Sequence, residues 1–170
     1  MRGFALEDDI VGDLTPLITK LGSPITCSPF SQVYRSTIEA SRGTTEVAVK
    51  VIIIDHKRTM AKIEKAMRRE LRVWFRLRHS TIVPLLGIAY LESPLPAFIS
   101  QWMPFGTLNI YLEKQATALT ASMKVALAKG IADGLNYLHS ENVVHGDLQP
   151  VCTVVSSPIL HSFVLVLQQS

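Results

Sequence analysis

Lys50 interrupts "EVAVKVIII", Glu46 to Ile54, the most apolar β-branched run of the chain. Burying an ammonium group without a partner is costly, so the fold that takes in this run must bring Lys50 a carboxylate or a way out to water. The next segment offers a carboxylate. From Thr59 to His79 the periodicity predicts a helix whose apolar stripe runs Ile63, Met67, Trp74 and Leu77. Glu70 fills the gap in that stripe, making steps of 4, 3, 4 and 3. A Lys50–Glu70 ion pair satisfies both charges at once. The alternative is a lysine that snorkels to an edge and a glutamate that tilts into solvent.

The residues on either side define the fold class. Leu14 to Ile54 reads as strand-like: "SQVYRSTIEA" alternates, and the turn "ASRGTTE", with Gly43 near its middle, leads into the Lys50 run. Leu85 to Tyr90 and Ala97 to Gln101 read as two more strands around the loop "LESPLP". Thr107 to Lys114 reads as a short helix and Ala121 to Ser140 as a long one, with Ile131, Leu135 and Leu138 on its inner face. Strands with one helix, followed by helices, make an α+β pattern with an antiparallel five-stranded sheet, not alternating βαβ. A boundary is expected near Trp102 to Gly106. The chain then divides into a frayed acidic leader (1–13), a sheet region (14–103), a helical region (104–150) and an apolar tail (151–170).

Composition narrows the function classes. At 170 residues and 48% hydrophobic, the chain can bury a sizeable core. Cys27 and Cys152 make no metal or disulfide pattern, so a reducing compartment, the cytoplasm, is expected. The formal charge of +3 implies no nucleic-acid partner. No run reaches the about eighteen apolar residues of a membrane span, and the acidic N-terminus is no signal peptide. Arg58, Lys62, Lys65, Arg69, Arg72 and Arg76 form a basic stripe on the Thr59–His79 helix, read as its solvated outer face. After the long helix, "VVHGDLQP" carries a His-x-Asp triplet into a loop, where Asp147 could accept a proton or His145 and Asp147 could serve as turn and capping residues.

Together these segments resemble a eukaryotic protein kinase domain from about Leu14 to Pro150. "VAVK" at Val47 to Lys50 looks like the family's third-strand motif, and Glu70 falls where its helix carries a glutamate. "LRHSTIVPLLG" is similar to the link from that helix to the fourth strand, and "ISQWMPFGTLNIYL" to a hinge and the helix after it. "IADGLNYLHSENVVHGDLQP" is similar to the run into the catalytic loop. The hinge tryptophan and "HGD" resemble the tyrosine-kinase-like families expanded in mushroom-forming fungi. The resemblance implies a kinase fold, ATP with Mg2+ as cofactor, and transfer of the γ-phosphoryl group to protein Ser/Thr or Tyr hydroxyls in signalling. It also implies roles. Lys50 would hold the α- and β-phosphates, Glu70 would orient it, and Asp147 would accept the substrate's proton. Thr26, Ser28, Val33, Ala48, Ser100, Gln101 and Met103 would join Lys50 around the nucleotide. Ser100 takes the gatekeeper position, and Val33 packs on adenine.

The chain also departs from the family. Its glycine-rich loop reads "TCSPFSQV": Thr26, Ser28 and Ser31 replace three glycines, and Pro29 removes an amide N–H, which weakens the expected grip on phosphate. In the catalytic loop Gly146 replaces an arginine, Gln149 a lysine and Cys152 an asparagine that ligates magnesium. The Asp-Phe-Gly triplet is absent, so no metal ligand is assigned. From Leu148 to Ser170 there is no Asp, Glu, Lys or Arg. The resemblance is expected to end at Pro150. Residues 151–170 then read either as translated intron or as a strand pair, "VCTVV" with "SFVLVL", folded over the helices. On this reading the chain is an incomplete kinase domain without a competent active site. The alternative is a pseudokinase-type module that binds ATP or a protein without catalysis, its protein partner unidentified.

Overall fold

Alternation in the strands sorts the apolar run around Lys50 into two faces. The computed structural model describes residues 12–40, 43–54, 57–156 and 163–165. Strands β1 (Thr26–Cys27), β2 (Ser31–Ala40), β3 (Gly43–Ile52), β4 (Leu85–Ala89) and β5 (Ala97–Gln101) form one antiparallel sheet in the order β1-β2-β3-β5-β4. Val47 and Val49 point to one side, fully buried with Ala89, Ala97 and Ile99. Leu14, Ile18 and Leu21 pack over that cluster. Ser36, buried on the same side, bonds Thr19 through both its hydroxyl (3.0 Å) and its carbonyl (3.2 Å). The segment before β1 therefore closes one face of the sheet and leaves the face of Lys50 to other elements.

That covering segment differs from the strand-like reading. Thr15–Leu17 is a single 3-10 turn with Pro16 inside it, and the Asp13 carboxylate accepts the Thr15 N–H at 2.9 Å. Proline's fixed φ and missing donor suit a turn start and not a paired strand. Residues 1–11 of the expected leader lie outside the described residues. Gly12 and Asp13 are not frayed: Ile88 N–H donates to the Gly12 carbonyl at 3.0 Å, and Leu14 N–H to that of Ile88 at 2.8 Å. An edge strand such as β4 has backbone groups in need of partners, and this segment supplies them. Gly87 makes the approach possible. A Cβ there would lie 2.5 Å from the Gly12 carbonyl oxygen and 2.8 Å from the Leu14 side chain.

Helix α1 (Met60–Arg76) buries Ile63, Met67, Glu70, Leu71 and Trp74, the stripe expected from periodicity with Leu71 added. The Trp74 ring meets Phe98 of β5 edge-on, centroids 6.0 Å apart. The six basic residues of the outer stripe are all exposed, as a solvated face requires. The helix stops three residues short of the expected His79. Arg78 N–H donates to the Tyr137 hydroxyl at 2.8 Å, a tertiary partner that sequence spacing does not reveal.

The described residues group into two compact units, one drawn from Met1–Phe75 and Leu85–Trp102, the other from Arg76–Pro84 and Met103–Ser170. In the second, Thr107 caps α2 (Leu108–Lys114) and Thr120 caps α3 (Ala121–Ser140), each through its side-chain oxygen. Asn142, at φ 58°, ends α3, and Val143 N–H reaches back to the Leu138 carbonyl at 2.8 Å. The buried line of α3 is Gly130, Gly134 and Leu138; the expected Ile131 and Leu135 are only half-buried. Glycine carries no apolar side chain, so hydrophobic periodicity does not mark this line.

The described residues after Pro150 include a strand pair. Strand β6 (Thr153–Val155) pairs antiparallel with β7 (Phe163–Leu165). Val155 is 1% exposed in a core with Leu108, Tyr111 and Leu119, against which Ile131 and Leu127 pack. Its N–H donates to the Gly106 carbonyl at 2.9 Å, and its carbonyl accepts from Phe105 N–H at 3.3 Å. Cys152, Thr153 and Val155 are thus buried while Val151 stays exposed, and α2 and α3 offer an apolar surface that Val155 fills.

Two outcomes check this packing. Gly87→Ala should cost about 1–3 kcal/mol through overpacking, read by urea unfolding followed through the buried Trp74. Val155→Asp should cost about 3 kcal/mol or more by burying an unpaired carboxylate. Amide exchange in α2 and α3 should then speed up, and unchanged exchange would remove Val155 from the core.

Candidate functional site

Strand register puts four of the candidates on one face. Val33 pairs with Lys50, and Lys50 with Phe98; Ala48 pairs with Arg35 and with Ser100. Opposed residues of antiparallel strands share a face, and successive residues alternate. Val33, Ala48, Lys50 and Ser100 therefore lie opposite the Val47, Val49 and Ile99 side.

Glu70 reaches Lys50 from α1. Lys50 Nζ donates to Glu70 Oε1 at 2.7 Å, with side chains only 14% and 8% exposed. The Phe98 ring lies 5.7 Å from the ammonium, adding a cation–π contact. The ion pair forms, and the snorkelling alternative does not. With so little water nearby, loss of either partner leaves the other charge uncompensated, a cost of about 3–5 kcal/mol. The arrangement fixes one paired cation on the sheet face opposite Val47 and Val49.

The loop between β1 and β2 is a tight turn built on Ser28. Its N–H donates to the Ser31 carbonyl at 2.8 Å. Its hydroxyl oxygen accepts from Phe30 N–H at 3.3 Å and Ser31 N–H at 3.0 Å, and lies 3.1 Å from both the Ser31 carbonyl and the Ser31 hydroxyl. Thr26, on β1 opposite Val33, is exposed.

The far end of the sheet holds the hinge candidates of the first unit. Ser100 is buried and Gln101 exposed. Trp102 N–H donates to the Glu46 carbonyl at 3.2 Å, and the Arg35 guanidinium stacks 5.3 Å from the Trp102 ring. Arg35 Nε also donates to Glu46 Oε1 at 3.0 Å. The alternation of "SQVYRSTIEA" hid this Arg35–Glu46–Trp102 group, because only the β2–β3 register brings its members together.

Met103 and the His-x-Asp loop belong to the second unit. Met103 is buried, and its carbonyl accepts from Gly106 N–H at 3.1 Å. His145 is buried and Asp147 half-buried. Gly146 has φ +78°, which a side-chain-bearing residue adopts only under strain. Gln149 Nε2 donates to Asp147 Oδ1 at 2.6 Å, so a neutral amide holds the carboxylate where a lysine is expected. Cys152, at the position expected to ligate magnesium, is 3% exposed, and its thiol donates to the Asp147 carbonyl at 3.4 Å. Mg2+ takes hard oxygen ligands, so this buried thiol does not fit it.

Comparison with known proteins places the arrangement. A sequence model described as protein tyrosine and serine/threonine kinase matches residues 19–158, continuing eight residues past Pro150, where the likeness was expected to end. The serine/threonine/tyrosine-protein kinase HT1 of Arabidopsis thaliana is 33% identical over 146 residues, 84% of this chain and 36% of HT1. An L-type lectin-domain containing receptor kinase of the same plant is 34% identical over 71% of this chain and 18% of its own length. A probable serine/threonine-protein kinase of Dictyostelium discoideum is 33% identical over 76% of this chain and 14% of its own length. The chain thus spans little more than a third of the first of these relatives and less of the others. Among the described residues, no helix is long and apolar enough to cross a membrane. With 140 of its 170 residues inside the family match, and with Lys50 of the five-stranded antiparallel sheet paired to Glu70 of α1, the chain belongs to the protein tyrosine and serine/threonine kinase family.

Proposed function

We propose that this chain holds ATP as a protein kinase domain does, with Lys50 as the cation for the α- and β-phosphates and Glu70 as the residue that fixes it. The observation that carries this reading is the 2.7 Å ion pair, set on the same sheet face as Val33, Ala48 and Ser100. Members of the family bind ATP with Mg2+ and protein substrates. By residue-for-residue likeness, Val33 and Ala48 border adenine, Ser100 is the gatekeeper, and Gln101 to Met103 offer backbone groups to the base. Thr26 and Ser28 stand at the loop. Asp147 is the proton acceptor for a protein hydroxyl. A cytoplasmic setting agrees with two cysteines that form no disulfide.

Holding ATP and transferring its phosphoryl group have different requirements. Transfer relies on metal charge that balances the developing negative charge. Cys152 does not fit that metal, Gln149 brings no positive charge, and Asp147 is the last acidic residue of the 170. We infer that these 170 residues by themselves bind nucleotide without catalysing transfer. The same features favour the second reading, a pseudokinase-type binding module.

Two measurements separate these statements. Lys50→Met should weaken ATP binding by about tenfold or more, the worth of one charge-assisted contact, with Glu70→Ala weakening it in the same direction. Equal affinity in all three proteins, measured by calorimetry, would remove the nucleotide role from the pair. Incubated with radiolabelled ATP and a generic protein substrate, the chain should incorporate no phosphate above the Lys50→Met background. Incorporation that Lys50→Met abolishes would overturn the non-catalytic reading.

A further inference from the structure

The turn between β1 and β2 uses up the very groups that a nucleotide's phosphates would need. A phosphate held by a loop takes backbone N–H donors, and the tip of this loop has four positions that could offer one. Ser28 N–H is spent on the Ser31 carbonyl at 2.8 Å. Pro29 has no N–H. Phe30 N–H and Ser31 N–H both point at the Ser28 hydroxyl oxygen, at 3.3 Å and 3.0 Å. A serine hydroxyl has two acceptor lone pairs and one proton. The two amides fill the lone pairs, and the proton has the Ser31 carbonyl or hydroxyl within 3.1 Å. The Ser28 side chain is saturated, and none of the four positions has a free backbone N–H.

The turn is local and self-sufficient. A serine hydroxyl that accepts from amides two and three residues on is a common turn device, and Pro29 presets the backbone after it. β1 and β2 anchor the turn on both sides through the Thr26–Val33 and Cys27–Gln32 pairs. The Ile53 N–H also donates to the Phe30 carbonyl at 2.9 Å, tying the tip to the end of β3. Phe30 itself is 50% exposed, so the tip is not held closed by burial. What closes it is the Ser28 hydroxyl.

We propose that Ser28 and Pro29 make this loop a closed turn that withholds its amides from nucleotide phosphates, so that Lys50 carries the phosphate recognition of this sheet face alone. The inference rests on the nucleotide reading above and adds its selectivity: the loop contributes nothing to the preference for ATP over adenosine, which is left to Lys50. Ser28→Ala frees the Phe30 and Ser31 amides while keeping a Cβ, and Pro29→Ala restores a donor. Together they should convert the loop into a phosphate-binding one.

The test uses the 15N-labelled 170-residue chain and the Ser28→Ala/Pro29→Ala variant. Amide exchange at Phe30 and Ser31 should be about tenfold slower in the original chain than in the variant. Tripolyphosphate should move these two amide signals in the variant only. By calorimetry, the ratio of ATP to adenosine affinity should rise about tenfold in the variant, the size of one or two added charge-assisted bonds. A melting curve of each protein shows that both are folded. Exchange at Phe30 and Ser31 that does not respond to the substitutions overturns the proposal. So does tripolyphosphate acting on both proteins alike. Tripolyphosphate needs no adenosine contact, so it decides the loop's behaviour even where adenosine and ATP fail to bind either protein, a result that sinks the nucleotide reading alone.

Discussion

A lysine ammonium held in a nearly dry place sets the conditions for much of the first unit. Lys50 sits on a strand whose neighbours Val47 and Val49 are fully buried, so the strand cannot be moved to the surface to hydrate it. Its charge has to be met where it stands, and Glu70 meets it from a helix. Glu70 can do so only if α1 lies against the sheet, and α1 lies there because Met67, Leu71 and Trp74 are buried in the same stripe. Apolar packing brings the carboxylate within reach, and the ion pair removes the penalty that either charge would suffer by itself. Each contribution needs the other.

The two faces of the sheet divide the work. One is closed by the chain's own preceding segment, with Gly87 leaving room for Gly12 and Leu14 to come close. The other carries Val33, Ala48, Lys50 and Ser100. Because side chains alternate, a single β-branched run serves both the core and the candidate site. A shift of register by one residue would exchange the two sets and bury Lys50 without its partner.

Small polar side chains settle what the surrounding loops can offer. Ser28 satisfies amides that would otherwise face solvent or a ligand, and Gln149 satisfies one oxygen of Asp147 with a neutral amide. Cys152 gives its proton to a backbone carbonyl and remains buried. Each of these contacts is made by an uncharged group, so none of them adds a positive charge beside the atoms it satisfies.

Much of this was legible in the residues. The stripe with Glu70 in its middle called for a carboxylate facing inward, and the β-branched run with one lysine called for its partner; both follow from the cost of burying charge, which acts on any fold these segments enter. Four of the five strands, the helix between them and the two helices after them followed from periodicity, whereas the two-residue β1 is set by its pairing with β2. Other features were not legible, because they depend on groups that meet only when the chain is folded. Pro16 and Thr15 looked strand-like until the edge of β4 gave their neighbours backbone partners. Gly130 and Gly134 carry no hydrophobic signal, yet they form the buried line of α3. Val155 looked like part of a tail because nothing in its own sequence names the surface it fills, which Leu108, Tyr111 and Leu119 bring from two other elements. Sequence determined which side chains cannot be left in water or left unpaired, since transfer free energies belong to the residues themselves. Tertiary structure decided which distant backbone and side chain meets each of those needs, since that depends on register and close approach.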